Sequence, residues 1–276
     1  MRRILVNADD FGLTEGVCRG ILDAMRAGIV GATTAMVCAE GGLERIRRLG
    51  PGLAGRLGLH LQLTGGRPCL PPTVVPSLVT AAGAFPRKKK DVQAVDPAEV
   101  DREWRAQLAR FRSLGFSPSH LDSHHHIHKR PELFPVFLEL ARESGVPARA
   151  LSDAMRQDMD AAGVPHAALC LTDFYGDGLS PQRFCALLDD AFSSLGGSGV
   201  IEVMVHPGVC DAALTAISTY HAGRARELAV LTDPQLAAML AARAIECRGP
   251  DVLSSPGAAG GGETGGTVVS GRTGVR

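Results

Sequence analysis

Short apolar segments alternate with helix-like patterns along most of the chain. The segments that read as strands are residues 3–6, 32–37, 57–63, 119–124, 169–174 and 199–205. Consecutive parallel strands need a crossover connection, usually a helix, so this order predicts an α/β fold with a parallel sheet. About seven such units favour a TIM-like (β/α) barrel over an open doubly wound sheet. The sequence Asp9-Asp10-Phe11-Gly12 follows the first strand, where a dinucleotide-binding protein would carry a glycine-rich motif.

Capping residues mark several helix boundaries. Thr14 and Gly28 are predicted to bound the first helix. Asp96 is the predicted N-cap of a helix over residues 97–114, and Glu99 is placed to complete a capping box. Further helices are predicted to begin at Pro131, Pro181 and Pro234.

The chain is predicted to form one domain and a tail. Its 276 residues suit a single α/β domain. We assign residues 1–250 to the barrel and residues 251–276 to a disordered tail, because Gly, Ser, Thr and Ala dominate the end of the chain. Residues 64–95, rich in proline and glycine, are predicted to form a long loop over the barrel mouth. Their basic run, residues 87–90, is predicted to lie on a solvated surface.

Charge and hydropathy exclude several classes of partner. The 29 basic residues balance the 29 acidic residues, so neither a nucleic acid nor an anionic membrane is expected as the main partner. A small neutral substrate fits better. Asn7 and the two aspartates interrupt the first apolar run, which is therefore unlike a signal peptide, and no apolar stretch approaches the roughly 20 residues of a membrane span. We expect a cytoplasmic protein.

Five of the nine histidines fall within residues 120–128. If this segment is extended, its side chains alternate between two faces. One face would then carry His120, Asp122, His124, His126 and His128. Successive members of that face would lie about 6 to 7 Å apart, whereas a metal–imidazole bond is about 2 Å long. One or two of them are therefore expected to bind a single ion.

Other candidate ligands stand near the ends of three further strands. They are the pair Asp9 and Asp10, then His60, then His206. Each has a structural alternative, namely a turn, a buried hydrogen-bonded histidine or an adventitious histidine patch. A barrel gathers its active site from the carboxyl ends of several strands, so the joint pattern favours a metal site. Adjacent aspartates in an extended segment face opposite ways, which suggests that one binds metal while the other accepts a proton.

Six segments carry a resemblance to a known family. They are Asn7–Leu13, Gly28–Val30 with Thr33–Val37, Gly58–His60, His120–His128, Glu202–Pro207 and Glu227–Thr232. Together they resemble the YdjC-type carbohydrate deacetylases, and within them the chitooligosaccharide (diacetylchitobiose) deacetylases, over residues 3 to 247. The nine-residue histidine motif combined with the Asp-Asp-Phe-Gly opening is specific to this family.

The resemblance implies a distorted barrel, often a homodimer, that removes an acetyl group from a small N-acetylated sugar. Carried over by position, the metal ligands are Asp10, His60 and His124, the catalytic base is Asp9, and a further active-site residue is His206. The resemblance implies one divalent ion per subunit, Mg²⁺ in this family. By ligand chemistry, two imidazoles and one carboxylate would also suit zinc, cobalt, manganese or iron. No residue is assigned to sugar binding.

The corresponding hypothesis has Asp9 taking a proton from water and His206, or else His126 or His128, protonating the leaving amine. Two alternatives stay open. A phosphoester hydrolase would normally need two metals about 3.5 to 4 Å apart and more carboxylates. A barrel that only binds metal or sugar would have no need of a second carboxylate beside its ligand. The loops after His60 and His206 vary among relatives, so the sugar itself is not predicted.

Overall fold

The computed structural model describes residues 1–254, and its centre is a seven-stranded parallel sheet. The strands are β1 (Arg2–Phe11), β2 (Ala32–Ala35), β3 (Leu57–Leu61), β4 (Leu121–Ser123), β5 (Leu169–Leu171), β6 (Gly199–Val205) and β7 (Ile245–Cys247). The order across the sheet is β4-β3-β2-β1-β6-β5, and β7 pairs with the beginning of β1. The longest strand, β1, therefore lies in the middle and contacts β2, β6 and β7.

Helices follow most of the strands and cover the outside of the sheet. The α-helices of residues 1–254 are α1 (Glu15–Ala27), α2 (Gly42–Leu49), α3 (Pro97–Ser113), α4 (Phe134–Ser144), α5 (Asp153–Ala162), α6 (Pro181–Ser194), α7 (Ala212–Ile217), α8 (Ala222–Leu231) and α9 (Pro234–Ala242). In the described residues no helix combines the length and the hydropathy that crossing a membrane requires.

The ring of strands is irregular between β4 and β5. There the backbone of residues 147–149 takes the place of a regular strand: the Leu121 amide donates to the Pro147 carbonyl at 2.9 Å, and the Arg149 amide donates to the Leu121 carbonyl at 2.9 Å. On the other side, the Ala148 amide donates to the Pro165 carbonyl at 2.9 Å, on the segment that leads into β5. The predicted distorted α/β barrel is confirmed, as a half-barrel of regular parallel strands with this irregular closing side.

The side chains on the two faces of β1 pack in different surroundings. Ile4, Val6 and Ala8 belong to the large apolar cluster that includes the buried face of α1. Leu5 faces the opposite way and belongs to a smaller cluster at the amino ends of the strands. The side chains of Asn7 and Asp9, at alternate positions from Leu5, lie on that inner face. The barrel interior is thus apolar at one end and polar at the other.

A short 3₁₀ helix, Pro250–Ser254, closes the apolar end. Its Val252 and Leu253 are buried in the same cluster as Leu5, Ala32 and Val200. Packed structure therefore continues past residue 250, where the tail was predicted to begin. Residues 255–276, which hold most of the predicted tail, lie outside the described residues.

Most of the predicted helix starts and caps are observed; one capping box and one helix start differ from the prediction. The Thr14 side chain accepts from the Val17 amide at the start of α1, and Asp96 caps α3. The capping box at Glu99 does not form, because its carboxylate accepts from both the backbone amide (2.8 Å) and the hydroxyl (2.7 Å) of Ser77. The helix expected to begin at Pro131 begins at Phe134 instead, since a turn precedes it.

The loop over residues 64–95 is fastened at both of its sides. The buried Glu103 carboxylate of α3 accepts from the amides of Cys69 (2.8 Å) and Leu70 (3.0 Å). At the far side, the Arg87 guanidinium donates to two carbonyls at the end of α7, those of residues 216 and 217, each at 3.2 Å. Because β3 and β6 lead into these segments, the loop spans the polar end of the barrel. The basic run 87–90 is exposed, as predicted.

Candidate active site

The two adjacent aspartates near the end of β1 both reach the inner face. Asp10 has a φ of 76°, in the left-handed region, and the pairing register with β2 shifts between Ala8 and Phe11. In an extended strand the two carboxylates would point in opposite directions. Here Asp10 Oδ1 lies 3.4 Å from His60 Nε2, and a carboxylate oxygen of Asp9 lies within 4.8 Å of a His60 ring nitrogen. The expectation from an extended segment is therefore wrong at Asp10.

Asp10, His60 and His124, the metal ligands that the resemblance implies, lie near one another at the polar end of the barrel. Asp10 Oδ1 lies 3.4 Å from His60 Nε2 and 4.0 Å from His124 Nε2. Among residues 1–254, Asp10 Oδ1 is a buried oxygen without a hydrogen-bond partner. Ligand atoms that share one ion at about 2.0 to 2.2 Å stand roughly 3 to 3.5 Å apart. Asp10 Oδ1 and His60 Nε2 match that spacing, whereas His124 stands further away, and the three ligand atoms do not all lie within 4.8 Å of one another. Binding of one ion by all three side chains would require His124 to move closer.

Hydrogen bonds at the other ring nitrogens orient both histidines. His60 Nδ1 lies 2.6 Å from Asp122 Oδ1, and His124 Nδ1 lies 3.0 Å from the Thr64 carbonyl oxygen. A proton on each Nδ1 satisfies these acceptors, so each Nε2 is the ring nitrogen that faces Asp10 and that would bind a metal. In His60 this nitrogen would first have to lose a proton, because the pKa of His60 is raised to about 10. Metal-binding histidines are usually held by such carboxylate or carbonyl partners.

The pKa values of the two imidazoles shift in opposite directions. Burial opposes a charge on His60, but the neighbouring carboxylates of Asp122 and Asp10 raise the pKa of His60 to about 10. A proton and a metal ion would therefore compete for His60 Nε2. Burial lowers the pKa of His124 to about 3, so its lone pair is available at neutral pH.

Arg224 of α8 holds the second oxygen of Asp10. Arg224 Nη2 donates to Asp10 Oδ2 at 2.5 Å. Burial would raise the pKa of Asp10, but Arg224 and the two histidines hold it well below its ordinary value. The Asp10 carboxylate is thus charged, with one oxygen committed to a guanidinium and one facing the histidines. Within the described part of the chain, Arg224 Nη1 is buried without a partner.

A different arginine takes both oxygens of Asp9. Arg149 donates to Asp9 Oδ1 and Oδ2, each at 2.8 Å, and also contacts Asp122 Oδ2 at 3.0 Å and Glu202 Oε1 at 2.8 Å. Burial would raise the pKa of Asp9, but the Arg149 guanidinium lowers it below its ordinary value. Asp9, His60 and Asp122 also lie close enough to suggest a metal group. The Arg149 guanidinium already lies against two members of that group, Asp9 and Asp122, whereas Asp10 Oδ1 has no hydrogen-bond partner in residues 1–254.

The histidine motif does not keep the predicted alternation. Strand β4 ends at Ser123, and residues 124–129 form a 3₁₀ segment in which His125 and His126 have left-handed φ values of 56° and 52°. The prediction that five side chains share one face is therefore wrong beyond Ser123, because two left-handed residues turn the backbone. Only His124 of the motif approaches Asp10 Oδ1.

The other members of the motif take separate positions. His120 Nε2 lies 2.9 Å from Asn7 Oδ1, in the barrel interior. His125 is exposed and stacks on His124 with ring centroids 3.8 Å apart. His128 is buried against Phe137, with centroids 4.3 Å apart, which removes it from the candidates for protonating a substrate. His126 is half-buried.

His206 follows β6 and lies on the opposite side of the site from the histidine motif. Its backbone amide donates to Glu227 Oε2 at 2.5 Å. Burial and the nearby Arg224 cation lower the pKa of His206 to about 4, so the ring is neutral at pH 7. Its Nδ1 is buried and finds no hydrogen-bond partner among residues 1–254. This nitrogen therefore has hydrogen-bonding capacity that the described residues leave unused.

Arg149 and Arg224 are the functional residues that sequence reasoning missed. Neither belongs to a short motif, and each contacts β1 across more than a hundred residues of chain. The one available signal was Arg224, which lies three residues before the Glu227 that opens a family segment and so shares its helix face.

Comparisons with known proteins agree on one family. A family model described as YdjC-like protein matches residues 3–242. A carbohydrate deacetylase of Geobacillus stearothermophilus is 40% identical over 247 residues, which cover 89% of this chain and 95% of the relative. A chitooligosaccharide deacetylase of Escherichia fergusonii is 37% identical over 248 residues, covering 88% and 95%.

One solved structure is similar over nearly its whole length. It is the crystal structure of an Enterococcus faecalis V583 protein that carries the provisional name of cellobiose-phosphate cleavage protein. The two chains are 34% identical and superpose with a TM-score of 0.82, covering 91% of this chain and 98% of the other. The shared fold therefore extends over the entire barrel and its active-site end.

Proposed function

This chain belongs to the family of YdjC-like proteins, and from that membership we propose that it is a metal-dependent carbohydrate deacetylase. It hydrolyses the N-acetyl group of a small sugar of the chitooligosaccharide kind and releases acetate and a free amine. The observation that carries the proposal is the unpaired, buried Asp10 Oδ1 between His60 Nε2 and His124 Nε2. The names of the curated relatives support the choice of substrate class.

Asp10, His60 and His124 are the residues that would hold the metal. A bound divalent ion would polarise the acetyl carbonyl and lower the pKa of water. Family resemblance implies magnesium, whereas two imidazoles beside one carboxylate are typical of zinc, cobalt, manganese or iron. Restoring activity to chelated protein with each ion in turn, together with the metal content per subunit, decides between these candidates.

Asp9 is the proposed base and His206 the proposed acid. Asp9 is held by two hydrogen bonds from Arg149 and is ionised, so it has a fixed position and the capacity to accept a proton from attacking water. The proton that Asp9 takes from water would then have to reach the leaving nitrogen. His206, which is neutral at pH 7, would act as the acid only after it has received that proton. Arg224 keeps Asp10 charged and fixed between these two groups.

The same geometry supports a competing assignment of the base. Both oxygens of Asp9 are occupied by Arg149, which makes Asp9 a weak base, while His206 is neutral and its Nδ1 is unpaired in residues 1–254. In this assignment His206 takes the proton from water and then passes it to the amine. Comparing Asp9→Asn with His206→Gln at equal metal content separates the two, because the variant that loses the base loses the larger part of kcat.

Phosphoester hydrolysis and non-catalytic binding are the alternatives. A second cation beside Asp10 would have to sit among Asp9, His60 and Asp122, where Arg149 already supplies the positive charge. A single metal is less suited to phosphoester hydrolysis than a pair. A protein that only binds metal or sugar would take up the ion without any turnover.

The deciding experiment is an assay of the purified, metal-loaded protein on a panel of N-acetylated sugars. New primary amines and acetate are measured with a chelated sample as the control, and phosphate release is followed from sugar phosphates. We expect amine and acetate in equal amounts, abolished by the chelator. Phosphate release without amine, or stoichiometric metal without any product, would contradict the proposed function.

Two further features stay with the proposal as predictions. The family resemblance supports a homodimer, which light scattering coupled to size-exclusion chromatography tests directly. The cytoplasm is the compartment that we expect for the reaction, and fractionation of cells that express the full chain tests this expectation.

A further inference from the structure

Two stacked tyrosines lie beside His206. They are the only two tyrosines of the 276-residue chain. Tyr175, which follows β5, and Tyr220, which precedes α8, have ring centroids 3.8 Å apart and an interplanar angle of 19°. The His206 ring stands edge-on to both, with centroid distances of 5.6 Å to Tyr175 and 6.1 Å to Tyr220. The pair therefore adjoins the residue proposed to serve the leaving nitrogen.

Tyr220 is fixed from several directions. Its hydroxyl donates to Glu227 Oε1 at 2.6 Å and accepts from the Gly176 amide at 3.1 Å. Its ring lies directly on Gly223, where an added Cβ would come within 2.2 Å of the Tyr220 ring. The Tyr220 hydroxyl thus ties the backbone next to Tyr175 to α8. Neither tyrosine ring has to change its conformation for Tyr175 to contact a ligand.

Tyr175, in contrast, is 45% exposed. Tyr220 covers one face of its ring, so the exposed part is the remaining face and edge. Five large apolar side chains of residues 1–254 are exposed, and all but Met1 lie in segments that follow strand ends at the barrel mouth. These four are Val74, Tyr175, Val209 and Ile217. Tyr175 combines its exposure with a ring contact to His206, and an exposed aromatic ring beside a candidate active-site residue is suited to ligand contact.

We infer that Tyr175, backed by Tyr220, is the platform on which the pyranose ring of the substrate stacks. The inference rests on the proposed function and assigns a residue to sugar specificity. The axial C–H groups of a glucosamine-type ring form an apolar, weakly positive face, and an aromatic ring presents a negative face to it. The Tyr175 and His206 rings touch edge to face with centroids 5.6 Å apart, so a sugar on the exposed face of Tyr175 would lie next to His206. A ring stacked on Tyr175 would present its nitrogen to His206.

The kinetic test compares Tyr175→Ala with the matched control Tyr175→Phe, which keeps the ring. With the β-1,4-linked disaccharide of N-acetylglucosamine as substrate, we expect Tyr175→Ala to raise KM about ten-fold and to change kcat by less than about three-fold. Tyr175→Phe should keep KM within about two-fold of the wild-type value. Gly223→Ala, which displaces the Tyr220 ring, should also raise KM. An unchanged KM for Tyr175→Ala, or equal losses in the Ala and Phe variants, would overturn the inference.

A binding test makes the result independent of turnover. Replacing tyrosine by 3-fluorotyrosine gives a protein with only two ¹⁹F labels, and Tyr175→Phe identifies the resonance of Tyr175. Titration with the same disaccharide, and with its deacetylated form, should shift the Tyr175 resonance more than that of Tyr220. If acetate is released normally while neither resonance moves at saturating sugar, the inference that the sugar stacks on Tyr175 is wrong and the proposed deacetylase function stands. If sugar moves the Tyr175 resonance and no acetate forms, the platform stands and the proposed function fails.

Discussion

Asp9 and Asp10 are neighbours with the same side chain, and the structure gives them different surroundings. Arg149 holds both oxygens of Asp9, whereas Arg224 holds one oxygen of Asp10 and leaves the other between His60 and His124. Both carboxylates are buried and both have a lowered pKa. The number of oxygens that an arginine occupies therefore distinguishes the candidate base from the candidate metal ligand, and residue type does not.

The largest loss of activity is expected when the Asp10 side chain, with its unpaired Oδ1, is removed. Asp10→Ala should abolish metal binding and lower kcat/KM by about 10³-fold or more, since the ion's contribution to the reaction is lost with it. Metal content by plasma mass spectrometry and amine release measure the two effects. Circular dichroism controls for folding. Normal metal content in Asp10→Ala would show that the ion binds elsewhere.

The buried ion pairs of Arg149 with Asp9, Asp122 and Glu202 should contribute more to the stability of the fold than to metal binding. Arg149→Met leaves the carboxylates of Asp9, Asp122 and Glu202 buried without their cation, and removal of one partner of a buried ion pair costs about 3 to 5 kcal/mol. Urea denaturation of the metal-free protein measures the free energy of unfolding. Arg142→Met, which removes an exposed pair with Glu139, is the matched control and should change stability little. Equal losses in the two variants would contradict this view of Arg149.

A smaller effect on rate is expected at the other aspartate. Asp9→Asn should retain the metal and lower kcat by about 10²-fold, because an amide cannot accept the proton from water. Single-turnover amine release at measured metal occupancy tests this directly. Turnover at the wild-type rate would remove Asp9 from the role of base and favour His206.

The smallest effect, a loss of metal affinity, is expected at Asp122, which contacts both His60 and Arg149. Asp122 accepts from His60 through Oδ1 and from Arg149 through Oδ2. Asp122→Asn should weaken metal affinity by about 10- to 100-fold, as other substitutions behind metal-binding histidines do. Competition against a fluorescent chelator measures the affinity. Glu246→Gln, an exposed substitution on β7, should leave it unchanged. An unchanged affinity in Asp122→Asn would mean that His60 does not need this partner.

Local signals in the sequence predicted much of the fold. The N-caps Thr14 and Asp96 and the segment 199–205 are observed where apolar periodicity and capping chemistry placed them. The meeting of Asp10, His60 and His124 was also predictable, because carboxyl ends of parallel strands share one end of a barrel.

The rest depended on contacts between distant segments and on backbone conformation. Asp10, His125 and His126 have left-handed φ values. Such values are uncommon for residues other than glycine, even though Asp and His adopt them more often than most, so the sequence alone did not predict them. Arg149 and Arg224 reach β1 from the segment after β4 and from α8, so no spacing in the sequence could pair them with it.

The 3₁₀ turn that ends the described chain has a practical consequence for anyone who shortens this protein. A chain cut after residue 250 would lose Val252 and Leu253 from beneath Leu5, two positions before Asn7 and four before Asp9 on the same strand. Water would then reach the inner face of β1 and weaken the packing that supports Asp9, the proposed base. A shortened protein should therefore keep residues 250–254, whose buried side chains cover the amino ends of the strands.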